Sequence, residues 1–144
     1  MPATKVECIA YRRTPHPEFL LLKRISERGS FWQPVSGGLE SESLLEGALR
    51  ELEEETAITR SSILAIQEDF HTFVMRSDTG ETTEHVFAFE VDPDVKVSID
   101  HNIYPEHDEF RWVSFDEAIS LLKWENNKDA FLKLKERIDT ENRI

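Results

Sequence analysis

Arg50-Glu51-Leu52-Glu53-Glu54-Glu55-Thr56-Ala57-Ile58 gathers four glutamates and one arginine within nine residues, after Gly37-Gly38-Leu39-Glu40-Ser41-Glu42 upstream. The apolar spacing predicts a helix over 43–55, so the glutamates crowd its C-terminal end. There the unpaired carbonyls already carry partial negative charge, and like charges three or four residues apart cost a further ~0.2–0.5 kcal/mol per pair. At about 100° per residue, Leu45, Ala48, Leu49, Leu52 and Thr56 share one face. Glu51 and Glu55 lie together on one flank, Glu54 points away from the apolar stripe, and Glu53 falls on the other flank. Three glutamates alone would read as a solvated charge run. With the glycine pair and Arg50 beside them, Glu51, Glu54 and Glu55 form a set of hard oxygen donors suited to Mg²⁺ or Mn²⁺. Arg50 lies four residues before Glu54, within reach of an ion pair that would orient the cluster.

These residues resemble the box of the Nudix hydrolases, G-x5-E-x7-R-E-U-x-E-E-x-G-U with U aliphatic. Glu42, Arg50, Glu51, Leu52, Glu54, Glu55 and Ile58 are in register with it. Two positions depart from the pattern. The spacing from Gly37 to Glu42 is one residue short, and the closing glycine is Ala57. A left-handed conformation costs alanine about 1–2 kcal/mol, so the helix is expected to end differently from the family's usual form. The flanking segments, Phe31-Trp32-Gln33-Pro34-Val35-Ser36-Gly37 and Glu106-His107-Asp108-Glu109-Phe110-Arg111-Trp112, resemble the bacterial dihydroneopterin triphosphate pyrophosphatase (dATP pyrophosphohydrolase) branch.

The resemblance implies a Mg²⁺-dependent hydrolase of phosphoanhydride bonds, releasing pyrophosphate from a nucleoside or pteridine triphosphate. It implies metal coordination by Glu51, Glu54, Glu55 and Glu106, directly or through water, with the Gly37 carbonyl as a backbone ligand. Glu51 or Glu55 would orient or deprotonate the attacking water, and Glu42 would support the loop. Arg24 at a strand end would reach phosphate, with Ser36 in the same pocket. His107 follows Glu106 in the matching motif and is a substrate-binding candidate, set against an ordinary exposed loop histidine. Oxidised-nucleotide sanitation, diadenosine polyphosphate or ADP-ribose hydrolysis, and a non-catalytic nucleotide-sensing module are the alternatives. The proline associated with ADP-ribose pyrophosphatases is absent near Thr72-Phe73. The tyrosine associated with diadenosine polyphosphate hydrolases is absent around Val74-Met75. The retained box carboxylates weigh against a silent sensor.

A chain of 144 residues, 39% of them hydrophobic, fits a single domain spanning 1–144. The net charge of −12 argues against a nucleic-acid polymer as ligand, whereas a small phosphorylated substrate can be neutralised locally by a divalent cation. Neither a signal segment nor a long apolar run stands out, so a cytoplasmic protein without membrane association is expected. Homodimerisation is a family-level expectation only. Cys8 is the sole cysteine and sits in an apolar strand-like run, as a buried residue would. His71, His85, His101 and His107 lack compact zinc-binding spacing.

Strand patterns cover 5–11, 19–23, 63–75, 85–91 and 110–113, with a hairpin turn at Ser77-Asp78-Thr79-Gly80-Glu81. Further helices are expected over 114–123, where Ser114 and Glu117 have capping-box spacing, and over 128–138. Mixed elements suggest a sheet between helices. The resemblance sharpens this to the α/β/α sandwich around a mixed sheet of the Nudix fold. Trp32, Trp112, Trp124, Phe31 and Phe73 are candidates to stack on a flat ring, against the commoner core role of aromatics. Asn126 and Asn127 are expected to cap or join the last helices.

Overall fold

The computed structural model describes residues 3–100 and 106–141; His101 lies outside them. Seven strands form one mixed sheet: β1 (Ala3–Arg13), β2 (Pro17–Arg24), β3 (Trp32–Gln33), β4 (Val35–Gly38), β5 (Ile63–Ser77), β6 (Gly80–Val91) and β7 (His107–Val113). Three helices accompany them: α1 (Leu44–Thr56), α2 (Phe115–Leu121) and α3 (Glu125–Glu141). The strand order is β3-β2-β1-β6-β5, with β4 paired to β1 and β7 to β2. Only β1 and β6 run parallel among these pairings. The expected turn closes the β5–β6 hairpin, with Ser77 opposite Gly80.

Alternation along β1 assigns the two faces of the sheet. Val6, Cys8 and Ala10 pack with Leu20, Leu22, Phe87 and Phe89 against Ala48, Leu49 and Leu52 of α1. Ile9 and Tyr11 face the other way, joining Phe19, Leu21, Val86 and Ala88 against Ala118 of α2 and Phe131, Leu134 and Ile138 of α3. The α/β/α arrangement of the Nudix fold therefore follows from apolar strands that bury both faces. Cys8 is buried, and its thiol donates to the Ala48 carbonyl at 3.2 Å. No helix among the described residues is long and apolar enough to cross a membrane.

Helix boundaries follow their caps. Ser43 Oγ accepts the Glu46 amide and Ser114 Oγ accepts the Glu117 amide, each satisfying a donor of the first turn. The two short strands β3 and β4 were not separable in the sequence pattern. The expectation for Ala57 is corrected. Ala57 adopts φ 66°, ψ 10°, and its amide bonds the Glu53 carbonyl at 2.8 Å, so α1 ends in the left-handed form that glycine usually supplies. The following residue explains why: Ile58 is buried against the α1 face of the sheet, and its amide donates to Thr56 Oγ1. Burial of Ile58 thus offsets the backbone cost at Ala57. Ala57→Gly should consequently stabilise the protein by about 1 kcal/mol, net of glycine's larger unfolded-state entropy. Urea denaturation measures it, and an unchanged or lower midpoint would contradict the assigned strain.

Candidate functional site

Two strand pairings bring the distant parts of the site together. β4 pairs with β1, setting Gly37 opposite Val6, and α1 then returns over the sheet from the loop that follows. β7 pairs with β2, with a register shift between Lys23 and Arg24, and Glu106 immediately precedes β7. The Ile25 amide bonds the Glu106 carbonyl at 3.0 Å, which anchors Glu106 beside the end of β2.

Glu51 and Glu55 are both buried on the sheet-facing flank of α1, whereas Glu53 and Glu54 are exposed. The Glu51 carboxylate lies directly on the Gly37 backbone, in space that any side chain at residue 37 would occupy. Glycine is required there by close approach. Glu55, Glu106 and His107 present ligand atoms that all lie within 4.8 Å of one another. The structure thus gathers Glu51, Glu55, Glu106 and Gly37 where β4, β7 and the end of α1 meet. Glu54 stands apart at the rim, with Arg50 as its ion-pair partner at 3.3 Å.

Arg50 does more than pair with Glu54. Its guanidinium donates to Glu42 at 2.8 Å, Glu51 at 2.9 Å and the Gly38 carbonyl at 3.0 Å. It therefore ties the glycine loop to α1 and supplies the positive charge nearest Glu51. Even so, burial, seconded by the charges of Glu54 and Glu55, outweighs Arg50 and pushes the Glu51 carboxyl up to about 7. A site that holds a carboxyl this far above its ordinary value favours any added cation, and the oxygen donors suit Mg²⁺.

His107 is corrected from an exposed loop residue to a buried residue of β7. Its Nδ1 lies 3.1 Å from Glu55 Oε2 and its Nε2 lies 3.3 Å from Gln33 Nε2. With the Gln33 amide donating to Nε2, the proton sits on Nδ1 and is donated to Glu55. Both ring nitrogens are then engaged, so His107 orients Glu55. No sequence signal marked Gln33 for this part, because only the β2–β3 pairing brings it opposite β7.

Beside the cluster opens a cleft of about 790 Å³ whose lining includes Arg24, Ser36, Gly37, Glu106, Phe31, Phe73 and Trp124. Arg24 approaches Glu106 at 4.0 Å, and its buried Nε has no hydrogen-bond partner. Ser36 Oγ donates to Glu84 at 2.8 Å. Among the stacking candidates, Phe31 and Trp124 meet edge-to-face at 5.9 Å in the cleft wall. Trp32 and Trp112 instead pack against the two cores, each beneath an arginine. Asn127 is also corrected: it belongs to α3, is buried, and donates through Nδ2 to Glu7. His85 pairs with Asp69, away from the carboxylate cluster.

The raised Glu51 carboxyl sets a pH dependence. Between about 4.5 and 7 the metal-free folded protein holds a proton that the unfolded chain releases, so the burial penalty grows as pH rises through this window. Glu51→Gln removes that penalty. Metal-free Glu51→Gln should therefore gain thermal stability over wild type as pH rises from 4.5 to 7, and the advantage should level off above the folded value. A difference that stayed flat across the window would refute the burial argument.

A NUDIX domain model matches residues 1–134. The chain is 35% identical over 126 residues to an octanoyltransferase of Myxococcus xanthus, covering 82% of this chain but spanning only 32% of that protein. It is 35% identical over 115 residues to the asymmetrical bis(5'-nucleosyl)-tetraphosphatase of Rattus norvegicus, covering 77% of this chain and 74% of the relative. A NUDIX hydrolase structure from Listeria monocytogenes is 27% identical and superposes with a TM-score of 0.82, covering 96% of this chain and 95% of the other. With the box carboxylates retained and gathered beside a cleft, the chain belongs to the NUDIX family.

Proposed function

We propose that residues 1–144 act as one domain, a Mg²⁺-dependent pyrophosphohydrolase that cleaves a nucleoside triphosphate or dihydroneopterin triphosphate and releases pyrophosphate. The observation that carries this reading is the convergence of Glu51, Glu55 and Glu106 beside a cleft walled by aromatics. Glu51, Glu55, Glu106 and the Gly37 carbonyl would hold the cation, with Glu54 contributing through water from the rim. Bound there, Mg²⁺ supplies charge neutralisation of the diphosphate and acidification of water.

The chain's own groups do the rest. Arg24 has an unpartnered buried Nε beside Glu106, which suits it to accept a phosphate oxygen as partner. Arg28, also 3.8 Å from Glu106, extends this positive edge. Arg50 holds Glu51 against Gly37, and His107 holds Glu55. Glu51 or Glu55 orients or deprotonates the attacking water. Phe31, Phe73 and Trp124 offer apolar surface to a flat ring.

The tetraphosphatase of Rattus norvegicus favours a second reading, hydrolysis of a dinucleoside polyphosphate. A panel of dihydroneopterin triphosphate, canonical and oxidised deoxynucleoside triphosphates, ADP-ribose and diadenosine tetraphosphate separates the readings. The highest kcat/KM is expected on a triphosphate, with pyrophosphate as product. Preferred turnover of diadenosine tetraphosphate would transfer the assignment to the second reading, and no turnover of any member would reject the hydrolase.

The assigned roles make distinct predictions. Glu51→Gln and Glu55→Gln should each fold and lose most turnover under saturating Mg²⁺, whichever acts as base, while Glu53→Gln stays near wild type. Equal losses at all three positions would show that helix phase does not govern the site. Glu106→Gln should weaken Mg²⁺ activation and lower turnover at least tenfold, about 1.4 kcal/mol in barrier terms, whereas exposed Glu109→Gln does much less. Wild-type metal dependence in Glu106→Gln would remove Glu106 from the donor set.

A further inference from the structure

The buried side of the cleft contains two carboxyls that the chemistry above does not use. On the sheet face opposite α1, Glu7 of β1 is 1% exposed and Glu84 of β6 is 5% exposed. Their neighbours on that face, Ile9, Tyr11, Val86 and Ala88, are the apolar residues of the core beneath α3. Both carboxyls line the cleft, together with Ser36, Gln33 and Asn127. Glu7 Oε1 accepts from Asn127 Nδ2, but Glu7 Oε2 is buried and has no partner. Burial, seconded by the nearby Glu84, pushes the Glu7 carboxyl well above its ordinary range despite the Asn127 hydrogen bond, so an ionised Glu7 needs a further donor, and an apolar residue would avoid the cost altogether. Fold stability therefore gives no reason for a carboxyl at residue 7.

A ligand does give one. The Ser36 hydroxyl is spent on Glu84 and an Asn127 N–H on Glu7, so a further N–H on the unpaired Glu7 Oε2 would hold that carboxyl in its ionised form. Phe31, Phe73 and Trp124 flank the same space, and Arg24 and Glu106 mark the phosphate-facing side. A flat ring between the aromatics with its phosphates near Arg24 would present its far edge to Glu7. The matching edge carries adjacent N–H donors. A 2-aminopyrimidinone ring, as in guanine and pterins, offers a ring N–H beside an exocyclic amine. Adenine offers an amine beside a ring-nitrogen acceptor, which sets a lone pair against the carboxyl oxygens.

We propose that Glu7, supported by Asn127 and Glu84, is a specificity-determining residue that selects substrates bearing a 2-aminopyrimidinone ring through their N–H edge. This rests on the cleft being the substrate site proposed above, and it narrows that substrate class to guanine-type and pterin-type triphosphates. Asn127 holds the Glu7 carboxyl in place, so it acts as a positioning residue. The unpaired oxygen is completed when the ligand docks, and a ring lacking the amine offers Glu7 one donor fewer.

The 2-amino group is the only difference between dGTP and dITP, so that pair isolates the contact. Wild-type protein with Mg²⁺ should show kcat/KM at least tenfold higher for dGTP than for dITP. Titration calorimetry in EDTA should show dGMP binding at least tenfold more tightly than dIMP, a readout independent of turnover. Glu7→Gln, with Glu7→Val as a second variant suited to the apolar neighbours, should bring both ratios close to one by lowering kcat/KM for dGTP and affinity for dGMP. Equal handling of dGTP and dITP by an active wild-type enzyme would overturn the inference and leave the hydrolase reading intact, the free oxygen then being satisfied by water only. Absence of all turnover would reject the hydrolase, and the calorimetric ratio would still decide the role of Glu7.

Discussion

Concentrating carboxylates in a partly buried place is the constraint on which the rest of this structure depends. Glu51 and Glu55 sit on the sheet-facing flank of α1, where water screens them poorly, and the raised Glu51 carboxyl registers the cost. The fold meets that cost with directed contacts rather than with exposure. Arg50 spans from Glu51 to Glu42 and to the Gly38 carbonyl, so the charge that tempers the cluster also fixes the loop against the helix. His107 does the corresponding service for Glu55, oriented in turn by Gln33. The two glutamates are thus held by different elements, an arginine of α1 and a histidine of β7, and neither can swing away without breaking a contact that shapes its own neighbourhood.

The sheet separates two tasks by the alternation of its side chains. Along β1, Val6 and Cys8 face α1 and help seat the helix that carries Glu51 and Glu55, while Glu7 between them faces the cleft. β4 repeats the division: Val35 joins the α1 core and Ser36 reaches Glu84 on the other side. Gly37 lies at the boundary, where the absence of a side chain lets the Glu51 carboxylate contact backbone. One short strand therefore contributes to the core, to the carboxylate site and to the cleft in three successive residues.

What could be read from the sequence was what is local. The α1 flank carrying Glu51 and Glu55, the exposure of Glu53, the five longer strands and the β5–β6 turn follow from periodicity, caps and turn residues acting over a few positions. The Nudix resemblance added the sandwich and the family. What escaped was set by pairing at long range. His107 looked like a loop residue because nothing nearby shows that β7 begins there and pairs with β2. Asn127 looked like a connector, since its partner Glu7 lies on the first strand. Ala57 misled for a different reason: its local preference is overridden by the burial of Ile58 beside it.

The division across the sheet has a consequence for how substrate choice can change. The carboxylates are held by α1, Arg50 and His107, and none of these contacts passes through Phe73, Glu7 or Asn127. Those three residues come from β5, β1 and α3, and all of them border the cleft. A substitution at one of them changes the lining of the cleft, while Glu51 and Glu55 keep their contacts to Arg50 and His107. Besides Gly37, Glu106 joins the two regions, since it faces both the Glu55 carboxylate and the Arg24 and Arg28 guanidiniums. Phosphate binding and cation binding are therefore electrostatically linked through Glu106, whereas a change at Phe73, Glu7 or Asn127 leaves the Arg50 and His107 contacts to Glu51 and Glu55 in place.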